Sequence, residues 1–390
     1  MTDKSDTLLD FAEIIDAGDR LCSWANSVSD SRPLFIFWTS YSRPSIGGTQ
    51  KRTATLADKL AKHASVAFVH IRDDFGTGPG YPSFCFGSNG ISGDAPAAIV
   101  RAISASRAPK AFVYVDHVNY FDHDVQIASL QDLNEAADQV FFLMASERTA
   151  RLVHEHASSV PVDGVRLHCL NNHTYTLLAG AKLPTIRVEQ FEEPRDTLHF
   201  GHNQPLVCSG RVVKEKNILA LIEAWTDLHD VVKGQARLDL WGPVVDDYGK
   251  RVLVEINRSG DESLRYRGVY NCPKDSPLRT ANALVHTSLT EGASNVVVEA
   301  MAFGKPVIGS AIEGVGNLLP GQEFQINAPF GPEEIRHALE TYLTHTADIE
   351  TYRAVSRVHA EYQRIHYARD EEFERILPHL LVNAAPMNAA

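Results

Sequence analysis

The segment from Glu291 to Ile308 carries the residue types and the spacing best suited to chemistry. It reads E-G-A-S-N-V-V-V-E-A-M-A-F-G-K-P-V-I, with the carboxylates Glu291 and Glu299 on either side of seven residues. The small residues after Glu291 predict the start of a helix, where unpaired N–H groups and the positive end of the dipole favour phosphate. Glu299 is then expected about one and a half turns into the helix. Because carboxylates accept hydrogen bonds from hydroxyl groups, the pair is expected to contact a sugar and a ribose.

The surrounding sequence predicts the elements that hold this segment in place. Short apolar runs alternate with helical patterns in both halves of the chain, which is typical of parallel sheets covered on both faces. Strands are predicted at 34–38, 66–71, 111–115, 140–144, 206–209, 237–241, 264–266, 283–287 and 306–309, and helices at 53–63, 218–228 and 296–303. Gly304 supplies a left-handed cap, and Pro306 cannot continue the helix. The chain is therefore predicted to be an α/β protein.

With these residues the chain resembles the retaining GT-B glycosyltransferases of the glycogen-synthase-like family 4. The family signature is E-x7-E continuing into E-A-M-A-x-G-x-P-V-I, as in 291–308. The family also has G-R-L-x-x-x-K-G or K-N after the first strand of its second domain, and 209–217 reads S-G-R-V-V-K-E-K-N. The resemblance covers roughly residues 33–375 and is strongest from 205 to 320. It implies a GT-B fold, with two Rossmann-like domains, parallel sheets and an interdomain cleft.

The domain organisation follows from the resemblance and from local composition. Residues 1–30, acidic but with apolar residues at helical spacing, are predicted to form an N-terminal helical extension. We expect an N-terminal Rossmann-like acceptor domain at 31–198 and a C-terminal nucleotide-sugar donor domain at 199–365. Residues 366–390 are expected to be a helix and tail that pack on the N-terminal domain. The helix itself is predicted around 362–380.

One further segment of the N-terminal domain is singled out by its composition. Residues 73–96 are rich in glycine and show no periodic pattern. Irregular loops of this length inside a compact domain are often functional. The segment is therefore predicted to be a loop that faces the acceptor.

The resemblance also implies roles for single residues. Glu291 is expected to contact the donor sugar and Glu299 the ribose. Arg211 and Lys216 are expected to neutralise the donor diphosphate, and His117 to lie near the reacting carbon. The predicted catalytic residues are thus His117, Glu291, Arg211 and Lys216. The other predicted donor-binding residues are Gly47, Gly48, Gly210, Gly268, Tyr270, Gly292, Ala293, Ser294 and Asn295.

The reaction implied by the resemblance moves a sugar from a nucleoside-diphosphate sugar, with UDP as the default nucleotide. The acceptor hydroxyl attacks the face that the leaving group departs from, so the anomeric configuration is retained. Two cations already face the diphosphate, so neither a divalent metal nor another cofactor is expected. Residues 122–124 read D-H-D, the metal motif of another glycosyltransferase fold, but such short matches are common. The motifs in the second half favour the metal-free site.

The composition limits the partners and the compartment. The net charge of −12 argues against a nucleic-acid partner and against strong binding to anionic membranes. No apolar run approaches the ~18 residues of a membrane span. The five cysteines form no C-x-x-C pair, and the acidic N-terminus is unlike a secretory signal. We therefore expect a cytoplasmic enzyme with a soluble saccharide or small-molecule acceptor; the sequence does not define the oligomeric state.

Two alternatives remain at this point. The same fold could support another sugar-nucleotide reaction, such as epimerisation or phosphorolysis, and an epimerase would convert the donor without an acceptor. A second alternative is a catalytically silent GT-B domain that acts as a scaffold or binding module. The complete set of Arg211, Lys216, Glu291 and Glu299 argues against a silent domain.

Overall fold

The structure, a computed structural model, describes residues 11–28, 31–41, 48–72, 81–86, 94–115, 123–144, 147–188, 192, 203–270 and 275–381. The chain divides into two compact units. Unit 1 comprises Met1–Val188 with Glu371–Ala390, and unit 2 comprises Glu189–Asp370. The sequence-based boundaries, at 198/199 and 365/366, lie ten and five residues from these. Both units are parallel α/β structures, as the alternation of apolar runs predicts.

Unit 1 is built on a seven-stranded parallel sheet in the order β3-β2-β1-β4-β5-β6-β7. The strands are β1 (Leu34–Tyr41), β2 (Ser65–Arg72), β3 (Ser83–Cys85), β4 (Ala111–Val115), β5 (Gln139–Met144), β6 (Val165–Cys169) and β7 (Thr185–Arg187). The helices are α1 (Phe11–Ser27), α2 (Gly48–Leu60), α3 (Asp94–Ala105), α4 (His123–Ala136), α5 (Glu147–Glu155) and α6 (Asn172–Gly180), together with the last helix of the chain, α14 (Glu371–Leu381). A 3₁₀ helix lies at Ala157–Ser159.

The two faces of this sheet bury different side chains. One face carries Leu34, Ile36 and Trp38 into a core shared with α1 and α3. The other face is aromatic, and the rings of Phe35 and Phe37 lie 4.9 Å apart. Alternate residues of a strand point to opposite faces, so the near-continuous apolar run of β1 fills both layers.

A buried ionic cluster fastens α14 to the aromatic face. The Glu372 carboxylate accepts hydrogen bonds from Arg52 Nε, His168 Nδ1 and Tyr114 Oη, each at 2.7 Å. Glu372 is 1% exposed. Burial by itself raises the pKa of a carboxyl group, but Arg52 and His168 outweigh that cost and lower the pKa of Glu372 to about 2. Glu372 is therefore an ionised anchor between the C-terminal helix and the sheet of unit 1.

Unit 2 has a six-stranded parallel sheet in the order β10-β9-β8-β11-β12-β13. The strands are β8 (Leu206–Ser209), β9 (Leu238–Trp241), β10 (Leu264–Gly268), β11 (Leu284–His286), β12 (Val307–Ser310) and β13 (Gln325–Ile326). The helices are α7 (Ile218–Thr226), α8 (Asp230–Lys233), α9 (Asp247–Ser259), α10 (Asn295–Ala302), α11 (Glu313–Gly316), α12 (Pro332–His345) and α13 (Ile349–His366). Short 3₁₀ helices lie at Lys214–Lys216 and Pro277–Arg279.

Three expectations about elements are corrected by the structure. The helix predicted at 53–63 begins earlier, because Gly48 is the first residue of α2; Gly47 lies outside the described residues. The predicted irregular segment 73–96 contains β3 and the first residues of α3. β3 has three residues, too few to show a period, and pairing with β2 defines it. The single helix predicted around 362–380 is wrong, because α13 ends at His366 and a separate helix, α14, begins at Glu371. No Gly or Pro marks the break between them.

No helix in the described part of the chain is both long enough and apolar enough to cross a membrane.

Candidate functional site

Two loops at the carboxyl edge of the second sheet bring the predicted residues together. One follows β8 and spans 210–217, and the other follows β11 and spans 287–294. β8 and β11 are adjacent parallel strands, with Leu284 opposite Val207. Ligands of open α/β sheets bind outside the carboxyl ends of the strands. The order of the sheet therefore places both predicted motifs side by side at that edge.

Backbone and side-chain hydrogen bonds fasten the first loop to the second. Thr287 Oγ1 donates to the carbonyl of Lys216 at 2.7 Å, and the amide of Leu289 donates to the carbonyl of Glu215 at 2.8 Å. The Lys216 ammonium forms an ion pair with Glu291 Oε1. Lys216 and Glu291 are 75 residues apart in sequence, so the sheet order is what makes them partners.

The Glu291 carboxylate lies in a polar, half-closed environment. Besides Lys216, its Oε1 accepts a hydrogen bond from Ser288 Oγ at 2.9 Å and lies 3.5 Å from His286 Nε2. Burial by itself raises the pKa of the Glu291 carboxyl, but the charge of Lys216 and the contact with His286 hold that pKa well below its ordinary value. Glu291 is therefore ionised, and it can accept hydrogen bonds from ligand hydroxyls.

His286, the last residue of β11, supports the loop 287–294 that carries Glu291. It is 4% exposed, and its Nε2 is 2.9 Å from Ser294 Oγ. Burial lowers the pKa of His286, although the hydrogen bond with Glu291 opposes that shift. A neutral imidazole at this position holds Ser294 and Glu291 in place without adding a full positive charge.

The start of α10 offers backbone donors to a ligand. Ser294 is the N-cap residue, but its hydroxyl contacts His286 and makes no capping bond, while its amide donates to the carbonyl of Gly314 at 3.0 Å. The amides of Asn295 and Val296 donate to no described residue. Free amides at a helix start suit an anionic group. Gly292 and Ala293 precede the helix, which begins at Asn295, one residue before the predicted range 296–303.

Glu299 occupies the buried side of α10. It lies about one turn beyond Asn295 rather than one and a half, because the helix begins at Asn295. Glu299 is 6% exposed, and its Oε1 accepts a hydrogen bond from Ser276 Oγ at 2.9 Å. Ser276 thus orients the second carboxylate of the motif.

Arg211 follows a close crossing of two glycine turns. Gly210 has φ 151° and Gly242 has φ 140°, and a Cβ on Gly242 would lie 2.6 Å from the carbonyl carbon of Gly210. Glycine is required where backbones approach so closely. The Arg211 side chain is exposed and makes no hydrogen bond or ion pair with the described residues. It is therefore available to an anionic ligand at the end of β8.

Gly268 and Tyr270 lie at the end of β10, on the edge of the sheet. Gly268 has φ 84°, and its carbonyl accepts a hydrogen bond from the amide of Gly242 at 2.8 Å. The Tyr270 ring packs edge-on against Trp241, with centroids 6.4 Å apart. This contact fixes the turn after β10 next to the turn after β9.

Several predicted site residues are not brought to this edge by the described structure. His117 and Gly47 lie outside the described residues, as does Asp122 of the D-H-D motif. Gly48 belongs to α2 in unit 1. Among the residues that the structure does describe, no group of three or more His, Cys, Asp or Glu side chains is arranged to hold a metal ion.

The sequence reasoning missed four residues of the site, namely His286, Ser288, Ser276 and Gly314. The polar residues that end the apolar run 283–287 were a signal for His286 and Ser288. No local pattern marks Ser276 or Gly314, because their partners are 23 residues away along the chain.

Residues 203–345 match the family model described as Glycosyl transferases group 1. No curated protein sequence matches the chain.

Solved structures resemble nearly the whole chain. HepE from Anabaena, crystallised with UDP and glucose, is 16% identical at a TM-score of 0.67, with 90% of this chain and 99% of HepE covered. Sucrose-phosphate synthase from Thermosynechococcus elongatus is 15% identical at a TM-score of 0.68, over 91% of this chain and 100% of that one. WaaG, a glycosyltransferase involved in lipopolysaccharide biosynthesis, is 13% identical at a TM-score of 0.65, over 90% and 100%.

These likenesses establish the GT-B fold, and the match over 203–345 covers the domain that holds Arg211, Lys216, Glu291 and Glu299. The chain is therefore a glycosyltransferase enzyme with the GT-B fold, and its residues 203–345 match the model of the group 1 glycosyltransferases.

Proposed function

We propose that this enzyme is a retaining, metal-independent glycosyltransferase of the hexosyltransferase type. It transfers a sugar from a nucleoside-diphosphate sugar to a hydroxyl group of a soluble saccharide or small molecule. The donor binds at the carboxyl edge of the second sheet. The predicted acceptor role of the N-terminal domain, with His117 near the reacting carbon, belongs to the same proposal.

The observation that carries the proposal is the clustering of Lys216 and Glu291 in front of the free amides of α10. Lys216 and Glu291 form an ion pair there, and the amides of Asn295 and Val296 have no partner among the described residues. Cations and amides suit a diphosphate, while a carboxylate suits sugar hydroxyls. The pairing places both kinds of group at one point of the sheet edge.

The proposed roles of the site residues follow from the charges that develop when the donor is cleaved between its sugar and its diphosphate. The bond between the anomeric carbon and the diphosphate oxygen breaks, and its electron pair stays on the diphosphate. A bond from the acceptor oxygen forms on the same face, and the proton of the acceptor hydroxyl passes to the leaving diphosphate oxygen. Negative charge grows on the leaving diphosphate, where Arg211, Lys216 and the helix amides stabilise it. Preorganised donors of this kind contribute about 3 kcal/mol each to transition-state stabilisation. Because these groups supply the positive charge, we propose that no divalent metal is needed.

Glu299 and Ser276 give the donor a second point of attachment. A carboxylate can accept about four hydrogen bonds, so the one from Ser276 orients Glu299 and is compatible with further bonds from ribose hydroxyls. UDP is the favoured nucleotide, since similar crystal structures such as that of HepE contain UDP.

The first test is a binding screen of UDP, GDP, ADP and dTDP by calorimetry and thermal shift, with EDTA present. We expect one diphosphate to bind and to raise the melting temperature without metal. Binding that appears only after Mg²⁺ or Mn²⁺ is added would contradict metal independence. Binding of none of the four would favour the scaffold alternative.

A second experiment separates transfer from the other sugar-nucleotide reactions. Nucleoside diphosphate released from the matching nucleotide sugar is measured with and without a panel of saccharides. We expect saccharides to increase the release, and we expect NMR of the product to show the donor's anomeric configuration. Conversion of the donor into a second nucleotide sugar without an acceptor would instead identify an epimerase.

A further inference from the structure

A cavity of about 480 Å³ lies on one face of β8, β9 and β10 in unit 2. Its charged lining residues are Arg237, Asp239, Arg265, Arg267, Asp275 and Arg279. Arg211, Lys216 and Glu291 do not line it, so it is separate from the proposed diphosphate site. Ser276 belongs to its wall and also donates to Glu299, so the cavity borders the ribose side of the donor site.

The charge in this cavity arises because charged and apolar residues alternate along two parallel strands, β9 and β10. Strands of parallel sheets are ordinarily apolar on both faces. Here 237–241 reads R-L-D-L-W and 264–268 reads L-R-Y-R-G. Leu238, Leu240 and Leu264 enter the hydrophobic core of unit 2. Because neighbours along a strand alternate between faces, the charged residues at positions 237, 239, 265 and 267 project to the other face.

The register of the strands sets these charged residues next to one another. Asp239 lies between Val207 of β8 and Arg265 of β10 in the sheet. Arg267 Nε is 3.5 Å from Asp239 Oδ2, whereas Arg237 and Arg265 form no ion pair with a described residue. Four arginines against two aspartates give the described lining of this cavity a formal charge of +2, in a chain whose net charge is −12.

We propose that this cavity binds a phosphate-bearing small molecule at a second site, distinct from the donor diphosphate. The volume falls within the roughly 300–1,000 Å³ of small-molecule sites. Guanidinium groups recognise phosphate by paired hydrogen bonds, and an excess of them favours a dianion. A concave site in an otherwise acidic protein fits a small anion better than the extended backbone of a nucleic acid.

The test is a calorimetric titration of the full chain with inorganic phosphate, compared among matched variants. Arg237→Gln/Arg265→Gln removes two cavity arginines. Arg251→Gln/Arg258→Gln removes the same charge from exposed positions on α9. We expect the cavity variant to weaken phosphate binding by about tenfold or more, and the α9 variant to bind like the wild type. Thermal unfolding verifies that each variant is folded, and Arg265→Gln alone serves if the double variant is not.

The donor-site variant Arg211→Gln/Lys216→Gln separates this proposal from the proposed function. We expect it to bind inorganic phosphate as the wild type does while losing affinity for UDP. Phosphate binding that disappears in this variant and persists in the cavity variant would overturn the second site. So would the absence of phosphate binding by the wild type at tens of millimolar.

The phosphate group has two possible sources, an acceptor substrate or a separate effector. An effector changes the rate of donor hydrolysis when inorganic phosphate is added without any acceptor. An acceptor phosphate leaves that rate unchanged, and phosphorylated sugars then accept better than the same sugars without phosphate. In either case the effect is expected to disappear in Arg237→Gln/Arg265→Gln.

Discussion

Gly314 lies against the backbone of Glu291 with no room for a side chain between them. A Cβ on Gly314 would stand 2.7 Å from the carbonyl carbon of Glu291 and 2.9 Å from its Cβ. The carbonyl of Gly314 also accepts the Ser294 amide at 3.0 Å. The helix α11, which follows β12, is thus the support that sets the position of the Glu291 carboxylate.

The first prediction follows from this contact. Gly314→Ala pushes the Glu291 loop away from α11 and disturbs the ion pair that holds the Lys216 ammonium. We therefore expect weaker UDP binding and a loss of stability of about 1–3 kcal/mol. Gly321→Ala is the matched control, because a Cβ there meets no atom within 4 Å. Calorimetry with UDP and chemical unfolding measure the two effects. Equal UDP affinity in both variants would mean that Glu291 does not need this support.

The second prediction concerns the diphosphate cations. Arg211→Ala and Lys216→Ala each remove a positive charge from the proposed phosphate position, and we expect each to lower UDP affinity by about 10- to 100-fold, with EDTA present. Uridine, which lacks the phosphates, is expected to bind unchanged. Lys214→Ala is the control, because Lys214 belongs to the same 3₁₀ helix but is exposed. Parallel losses for UDP and uridine would point to a damaged fold instead.

The third prediction concerns Ser276 and Glu299. Glu299→Ala is expected to abolish transfer while leaving the melting temperature near that of the wild type. Ser276→Ala removes only the hydrogen bond to Glu299, which contributes about 1 kcal/mol, so we expect roughly a fivefold weaker affinity for uridine. A coupled assay of released nucleoside diphosphate and calorimetry check the two variants. Retained turnover in Glu299→Ala would remove this residue from the site.

The fourth prediction is the acid sensitivity of unit 1. The pKa of Glu372 is lowered to about 2 in the folded protein and is about 4.3 in an unfolded chain. A carboxyl whose folded pKa is depressed stabilises the fold above the unfolded pKa, and that contribution disappears as the pH falls from about 5 toward 2. Glu372→Gln is expected to cost about 3 kcal/mol at pH 7, since Arg52 and His168 lose a buried partner.

The same variant is expected to show a flatter decline of unfolding free energy between pH 5 and pH 2. Denaturant unfolding at a series of pH values measures this slope. Glu374→Gln, an exposed position on the same helix, should keep the wild-type slope. If Glu372→Gln kept the wild-type pH dependence of the unfolding free energy, another carboxyl group would be responsible for the loss of stability between pH 5 and pH 2.

Local sequence patterns predicted much of the fold. The runs 111–115 and 206–209 became β4 and β8 with the predicted bounds. Ile218 begins α7 as predicted, and the E-x7-E segment forms a loop followed by a helix. These features were readable because apolar periodicity, helix starts and glycine stops act over a few neighbouring residues.

The sequence by itself thus determined the alternation of strands and helices, the two-unit α/β architecture, and the residue types of the donor motifs. Only the tertiary structure decided which residues support them, because those partners are distant along the chain. His168 and Glu372 are 204 residues apart, and Ser276 and Glu299 are 23 apart. The arginine-lined cavity likewise depends on the order and register of β8, β9 and β10, since charges become neighbours across a sheet only when its strands pair.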